Sequence, residues 1–305
     1  MALTPIYKYA WLVETLRKSG RLTFEEINQR WIDDKDLSGG VELSKRTFHK
    51  WRIAAEEMFG IVIDCERKGG YHFFISTEDE IAGNDLRLWL MNTINTTNTL
   101  IANQRLKSRI SLEKVPSGQL YLEKILSAMD KNVAVKIEYQ SFWRTESDVF
   151  EVEPYCVKLF KQRWYMVGRS PLLDKVMIYG LDRIYELSIM DDHRFQLPKG
   201  FDPEEFFADS YGIIIDSDYD VETVRLKVSA AQSNYIRSLP LHPSQREIQR
   251  EDAHSVFELT LRPTFDFQQE ILSHIPDMEV LAPKWLKEEI ECKIKQACCN
   301  DTQND

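Results

Sequence analysis

Basic side chains are concentrated in one short stretch of an otherwise acidic chain. Lys45, Arg46, Thr47, His49, Lys50 and Arg52 follow Ser44, and no acid interrupts them before Glu56. In the N-terminal half of a helix such residues can reach base edges in a major groove, where Arg and Lys pair with guanine O6 and N7. A second basic pair, Arg67 and Lys68, precedes Gly69-Gly70 and can touch phosphate. A third set mixes cations with aromatics. Alternate side chains on a strand share a face, so Arg163, Tyr165, Val167 and Arg169 point one way, and Trp164 and Met166 the other. Arg163 and Tyr165 offer a guanidinium for phosphate beside an aromatic surface for a base. Tyr155, Lys158, Arg183 and Arg144 can join them if the fold brings their segments together. Each set has a plain structural alternative. The first reads equally as a solvated helix face, Tyr165 as packed core, and Asp182 with Arg183 as a turn-closing ion pair.

Nothing in the chain points to catalysis. The motifs G-x-x-x-x-G-K-[ST], G-x-S-x-G, H-E-x-x-H and G-x-G-x-x-G are absent. The six histidines are scattered without metal-ligand spacing. Asp216, Asp218 and Asp220 alternate, but they lack the glycine and distal Glu of a calcium loop and read as a solvated turn. No catalytic residue, cofactor or metal is expected.

The net charge of -10 argues against non-specific coating of nucleic acid but leaves local recognition open. Five cysteines, none in a C-x-x-C pair, argue against a disulfide framework or a zinc site. No apolar run is long enough to span a membrane, and the first residues lack a signal-peptide pattern, so the expectation is a cytoplasmic protein.

The elements that must position these residues are set by periodicity. A helix over 5–19 carries an apolar stripe of Tyr9, Leu12, Val13 and Leu16. Thr23-Phe24-Glu25-Glu26 reads as a capping box opening a second helix. A polar loop over 33–40 comes next. Ser44 caps a third helix, whose Phe48, Trp51, Ala55 and Met58 are expected inward. Strands near 61–63 and 71–75 flank the Gly-Gly tip. Three helices and a basic hairpin make a winged helix-turn-helix pattern, with the third helix as recognition helix. Residues 81–130 read as a helical connector. From residue 131 a period of two sets in, and short strands over about 60 residues suggest a small β-barrel. The last third reads strand, helix, strand, strand, helix, strand, the order of the ferredoxin-like unit, with a final helix after Pro283.

Val152-Glu153-Pro154-Tyr155, then Arg163-Trp164-Tyr165-Met166-Val167-Gly168, then Tyr179-Gly180-Leu181-Asp182-Arg183-Ile184 together resemble the WYL domain family. Trp164, Tyr165 and Met166 stand where the family has Trp-Tyr-Leu. Met177 stands where the family often has Arg. The likeness covers 132–190, and the layout around it resembles regulators with a WCX-type extension. The resemblance implies an SH3- or Sm-like barrel. It also implies a transcription regulator whose barrel senses a negatively charged effector, either single-stranded nucleic acid or a nucleotide.

The expected architecture is therefore a multidomain α+β chain. Its parts are a winged helix-turn-helix (1–80), a helical connector (81–130), a WYL barrel (131–192), a linker (193–219) and a ferredoxin-like βαββαβ extension (220–300). The expected partners are double-stranded DNA, the effector and a second copy in a homodimer, with no membrane. Two alternatives are a protein-interaction module and an RNA-binding protein that uses the Sm-like barrel.

Overall fold

A computed structural model describes residues 5–67, 69–76, 85–116 and 118–299. The chain divides into two compact units, Met1–Glu113 and Lys114–Asp305, and is a mixed α+β protein with several sheets.

In the first unit, helix α1 (Pro5–Ser19) buries Ala10, Leu12, Val13 and Leu16. Helix α2 (Phe24–Asp33) opens on a complete capping box: Glu26 N–H donates to Thr23 Oγ1 at 3.2 Å, and Thr23 N–H donates to the Glu26 carboxylate at 2.7 Å. The loop expected next holds a one-turn helix, α3 (Lys35–Ser38). The Asp34 side chain accepts Leu37 N–H at its start, and left-handed Gly39 (φ 63°) closes its end. Leu43 N–H donates to Asn28 Oδ1 at 2.7 Å and so ties the approach of helix α4 (Lys45–Phe59) to α2. Ser44 caps α4 by accepting Thr47 N–H at 3.2 Å.

Helix α4 buries Phe48, Trp51, Ala55 and Phe59; Met58, expected inward, is 47 % exposed. At about 100° per residue, position 59 falls within about 20° of Phe48 and position 58 about 80° away, so Phe59 takes the core place. Strands β1 (Ile63–Glu66) and β2 (His72–Ile75) pair antiparallel, Ile63 opposite Ile75. Helix α5 (Asp85–Ala102) adds Met91 to the same core, and Asn95 donates to Glu14 of α1 at 3.1 Å.

In the second unit, helix α6 (Leu122–Lys131) precedes β3 (Val133–Tyr139), β4 (Asp148–Phe160), β5 (Arg163–Ser170), β6 (Lys175–Gly180) and β7 (Ile184–Arg194). These form one antiparallel sheet in the order β6-β5-β4-β3-β7. The closed barrel expected from the sequence is not formed. Its edge strands β6 and β7 share no ladder among the described residues. Strand β4 is shared between two partners. A register shift between Pro154 and Cys156 divides this long strand, so its first half pairs with β3 and its second half with β5. Proline has no N–H to give the ladder, and such an irregularity bends a strand. At that irregularity the strand passes from one partner to the other. One face packs Val135, Ile137, Met166 and Leu187 against Ile125 and Ala128 of α6.

The chain beyond β7 covers the other face. Helix α7 (Pro203–Phe207) lays Phe206 and Phe207, together with Phe201, on Cys156, Val167 and Ile178. Strands β8 (Glu222–Ser229), β9 (Arg246–Arg250), β10 (His254–Leu261) and β11 (Met278–Ala282) then make a second antiparallel sheet in the order β11-β8-β10-β9. Alternate residues Val224, Leu226 and Val228 bury one face. Against it lie Ile236 of helix α8 (Ala230–Ser238), Phe267 and Ile271 of α9 (Phe265–Ser273), and Leu286 and Ile290 of α10 (Lys284–Cys299).

Candidate functional site

The first candidate surface is α4 with the hairpin beside it. Because α4 turns its apolar residues to the core, Arg46, His49 and Lys50 are left exposed. Neither Arg46 nor Lys50 has an acidic partner among the described residues. Lys45 is held at the edge, 3.4 Å from Glu25 and 5.3 Å from the centre of the Phe24 ring. A backbone N–H and Lys45 together keep the Glu25 carboxyl below its ordinary value. Arg52 is half-buried, its Nε 4.0 Å from Glu56. Ser44 and Thr47 bond each other, hydroxyl to hydroxyl, at 2.8 Å.

Lys45, His49 and Arg52 of α4 and Arg67 and Tyr71 of the hairpin line a cleft of about 470 Å³. Arg67 is exposed at the hairpin tip, where Gly69 and Gly70 take φ of 90° and 129°. Such values suit glycine alone. Lys68 lies outside the described residues. Sequence reasoning missed two contributors here. Arg21 pairs with Glu66 and lies 4.6 Å from the centre of the Phe74 ring, on the flank of the hairpin. Tyr71 is 62 % exposed in the cleft. Arg21 had no signal, since only folding brings the α1–α2 turn to the strands; Tyr71 had one, its place next to the Gly69-Gly70 tip.

The second candidate site lies on the five-stranded sheet. Tyr165 pairs across the ladders with Lys158 on one side and Gly180 on the other. It is 9 % exposed, and burial raises its hydroxyl pKa against the opposing pull of Arg163. Arg163 reaches Asp182 at 3.3 Å, and that carboxylate side chain is only 7 % exposed. Asp182 thus pairs with Arg163. The Arg183 guanidinium lies against Gly180, where a Cβ would come within 2.7 Å of Nη2. It also stacks 4.7 Å from the centre of the exposed Phe142 ring, and its Nε is buried without a hydrogen-bond partner. Arg163, Tyr165, Asp182 and Arg183 therefore form one cluster.

Lys158 stands beside that cluster but is roofed. Its ammonium donates to the Gly212 carbonyl at 2.8 Å and sits 3.6 Å from the centre of the Phe207 ring. Burial brings its pKa down to about 8, with nearby Asp266 pulling the other way. Asp266 in turn accepts Ile213 N–H at 3.0 Å and Ile214 N–H at 3.2 Å, which holds the roof in place.

The remaining candidates are elsewhere. Arg169 bridges Glu153 at 3.1 Å and Asp174 at 2.7 Å. Tyr155 is buried against Phe195 and Phe201. Arg144 pairs with Asp148 in the β3–β4 loop. The roofing residues Phe207, Gly212 and Asp266 were missed. Phe207 alone had a sequence signal, the aromatic density of 195–211, too high for a solvated spacer.

The WYL domain family matches residues 121–189, the segment that holds this sheet and cluster. The chain carries a WYL domain there. A WCX domain matches residues 220–298, the second sheet with its helices. Among solved structures, this WYL-domain chain resembles proteasome accessory factor B/C (PafBC) of Arthrobacter aurescens at 15 % identity and a TM-score of 0.36. That likeness covers 94 % of this chain and 46 % of the other, so this chain spans a little under half of that relative. A CRISPR Cas-related protein is similar at 12 % identity and a TM-score of 0.38, over 99 % of this chain and 86 % of that one. At such scores neither likeness adds to the argument. No curated protein matches the sequence. Among the described residues, no helix is long and apolar enough to cross a membrane. Among the same residues, no three His, Cys, Asp or Glu side chains meet as a metal site.

Proposed function

We propose that this WYL-domain chain is a ligand-responsive transcription regulator. Its first unit acts as a winged helix-turn-helix, with α4 entering the major groove of duplex DNA and the β1–β2 hairpin resting on phosphate. The observation that carries this reading is the outward side of α4. Arg46 and Lys50 stand there exposed and, among the described residues, without acidic partners, on a helix whose rotation is fixed by buried Phe48, Trp51, Ala55 and Phe59. Cations already in water and already unpaired lose little on meeting a polyanion.

The cluster of Arg163, Tyr165 and Arg183 is the effector site in this reading. It offers two guanidiniums and an aromatic ring to a nucleotide or a single-stranded nucleic acid. The ferredoxin-like WCX portion supports dimerisation, so that two α4 helices match a two-fold operator. The test is Arg46→Ala with Lys50→Ala. Each residue that makes a good base contact should cost about 1–3 kcal/mol of operator affinity. Unchanged affinity in the double variant would sink the assignment of α4 as reading helix. Arg163→Ala should leave operator affinity intact and abolish the response to effector; a persisting response would place the effector site elsewhere.

A further inference from the structure

The outward side of α4 holds one residue that neither charge nor capping explains. Ile53 is 51 % exposed in the middle of the helix. At about 100° per residue, positions 46, 49, 50 and 53 share an arc of roughly 100°, and Ile53 lies near its centre. The buried Phe48, Trp51, Ala55 and Phe59 occupy the opposite side. Ile53 therefore points away from the core, as Arg46 does. A β-branched residue there is a poorer helix former than Arg or Lys, and half of its surface is left open to water.

The major groove presents one apolar group, the C5 methyl of thymine. From Arg46 to Ile53 the helix rises about 10 Å, roughly the length of three base-pair steps. One turn beyond Ile53 the same side meets the exposed carboxylate of Glu57, which phosphate repels, so the reading face ends there.

Resting on the DNA-binding reading above, we propose that Ile53 reads a thymine methyl, within about three base pairs of the guanine contacted by Arg46 or Lys50. Ile53 then sets base specificity by apolar contact, while its basic neighbours supply hydrogen bonds and charge.

The probe is duplex DNA selected from a randomised library by the full chain, with each thymine replaced in turn by deoxyuridine. That replacement removes the methyl and nothing else. Affinity is read by fluorescence anisotropy at fixed salt. At one thymine per half-site, the swap should weaken the wild-type protein about fourfold, the worth of one buried methyl-sized group. Ile53→Ala should bind the thymine duplex more weakly and be indifferent to the same swap. Alanine is the better helix former, so α4 is kept in that variant. Specific binding with no thymine–deoxyuridine difference at any position overturns the inference alone. So does an Ile53→Ala variant that keeps the full difference. Failure of the wild-type protein to select any duplex overturns the DNA-binding reading as well.

Discussion

The chain carries two groups of basic side chains in opposite surroundings. On α4, Arg46 and Lys50 stand in water with no acid beside them among the described residues. On the WYL sheet, Arg163 is tied to Asp182, Arg169 to Glu153 and Asp174, and Lys158 is closed in under Phe207 and the Gly212 carbonyl. Free surface cations suit fast, salt-sensitive attraction to a polyanion. Cations that already hold a partner can take an anion only by exchanging it, so net gain depends on geometry and desolvation. The first arrangement suits standing attraction to DNA, and the second suits a conditional response.

Four experiments press on that contrast, from the largest effect down. Loss of both Arg46 and Lys50 should cut operator affinity most, by more than tenfold at about 1–3 kcal/mol each. An equal loss from Arg163→Ala would erase the distinction between the two groups. Arg67→Ala should weaken binding evenly across sequences and lower the slope of log affinity against log salt by about 1, measured by titration at several salt concentrations. An unchanged slope would remove the hairpin from the DNA interface.

Asp182→Asn frees Arg163. It should lower stability in urea unfolding, since Asp182 is nearly buried and its charge is matched there by Arg163, and tighten binding of a single-stranded oligonucleotide by calorimetry. Weaker binding would mean that Asp182 positions Arg163 rather than occupying it. The smallest effect concerns Lys158. Its folded pKa of about 8 lies below its ordinary 10.5. Between those values the unfolded chain holds a proton that the folded chain has released, so stability rises with pH across that window and is flat below it. Lys158→Met should flatten the rise, as read from urea unfolding between pH 8 and 10.5. An identical pH slope in the variant would show that the roof does not strain the ammonium.

Much of the element pattern was legible because it rests on local rules. The Thr23–Glu26 capping box, the Ser44 cap and the alternation of Val133, Val135 and Ile137 all depend on near neighbours. What failed depended on places far apart. Phe59 displaced Met58 because core closure fixes the phase of α4. Whether the strands close on one another depends on how the two ends of a five-stranded sheet meet, and the sheet is open, with β6 and β7 at its edges. Candidate residue types at the site could be read directly, but their pairing could not. Asp182 was set beside Arg183 in the sequence and beside Arg163 in space. Lys158 gave no sign of Gly212, 54 residues on. Ile53 carries no charge and breaks no helical period, so nothing in the sequence marks it among its basic neighbours.

The core behind α4 has one further use. Trp11, Trp31 and Trp51 make an edge-to-face chain with ring centres 5.0 and 4.9 Å apart. Trp51 belongs to α4 itself, next to Lys50. Indoles fixed in a packed core give a near-ultraviolet circular dichroism signal that vanishes when packing loosens. The first unit therefore holds an intrinsic optical gauge, seated on the back of the helix assigned to DNA. A change of that signal on adding duplex would report movement of the helix against its core, with no label attached to the protein.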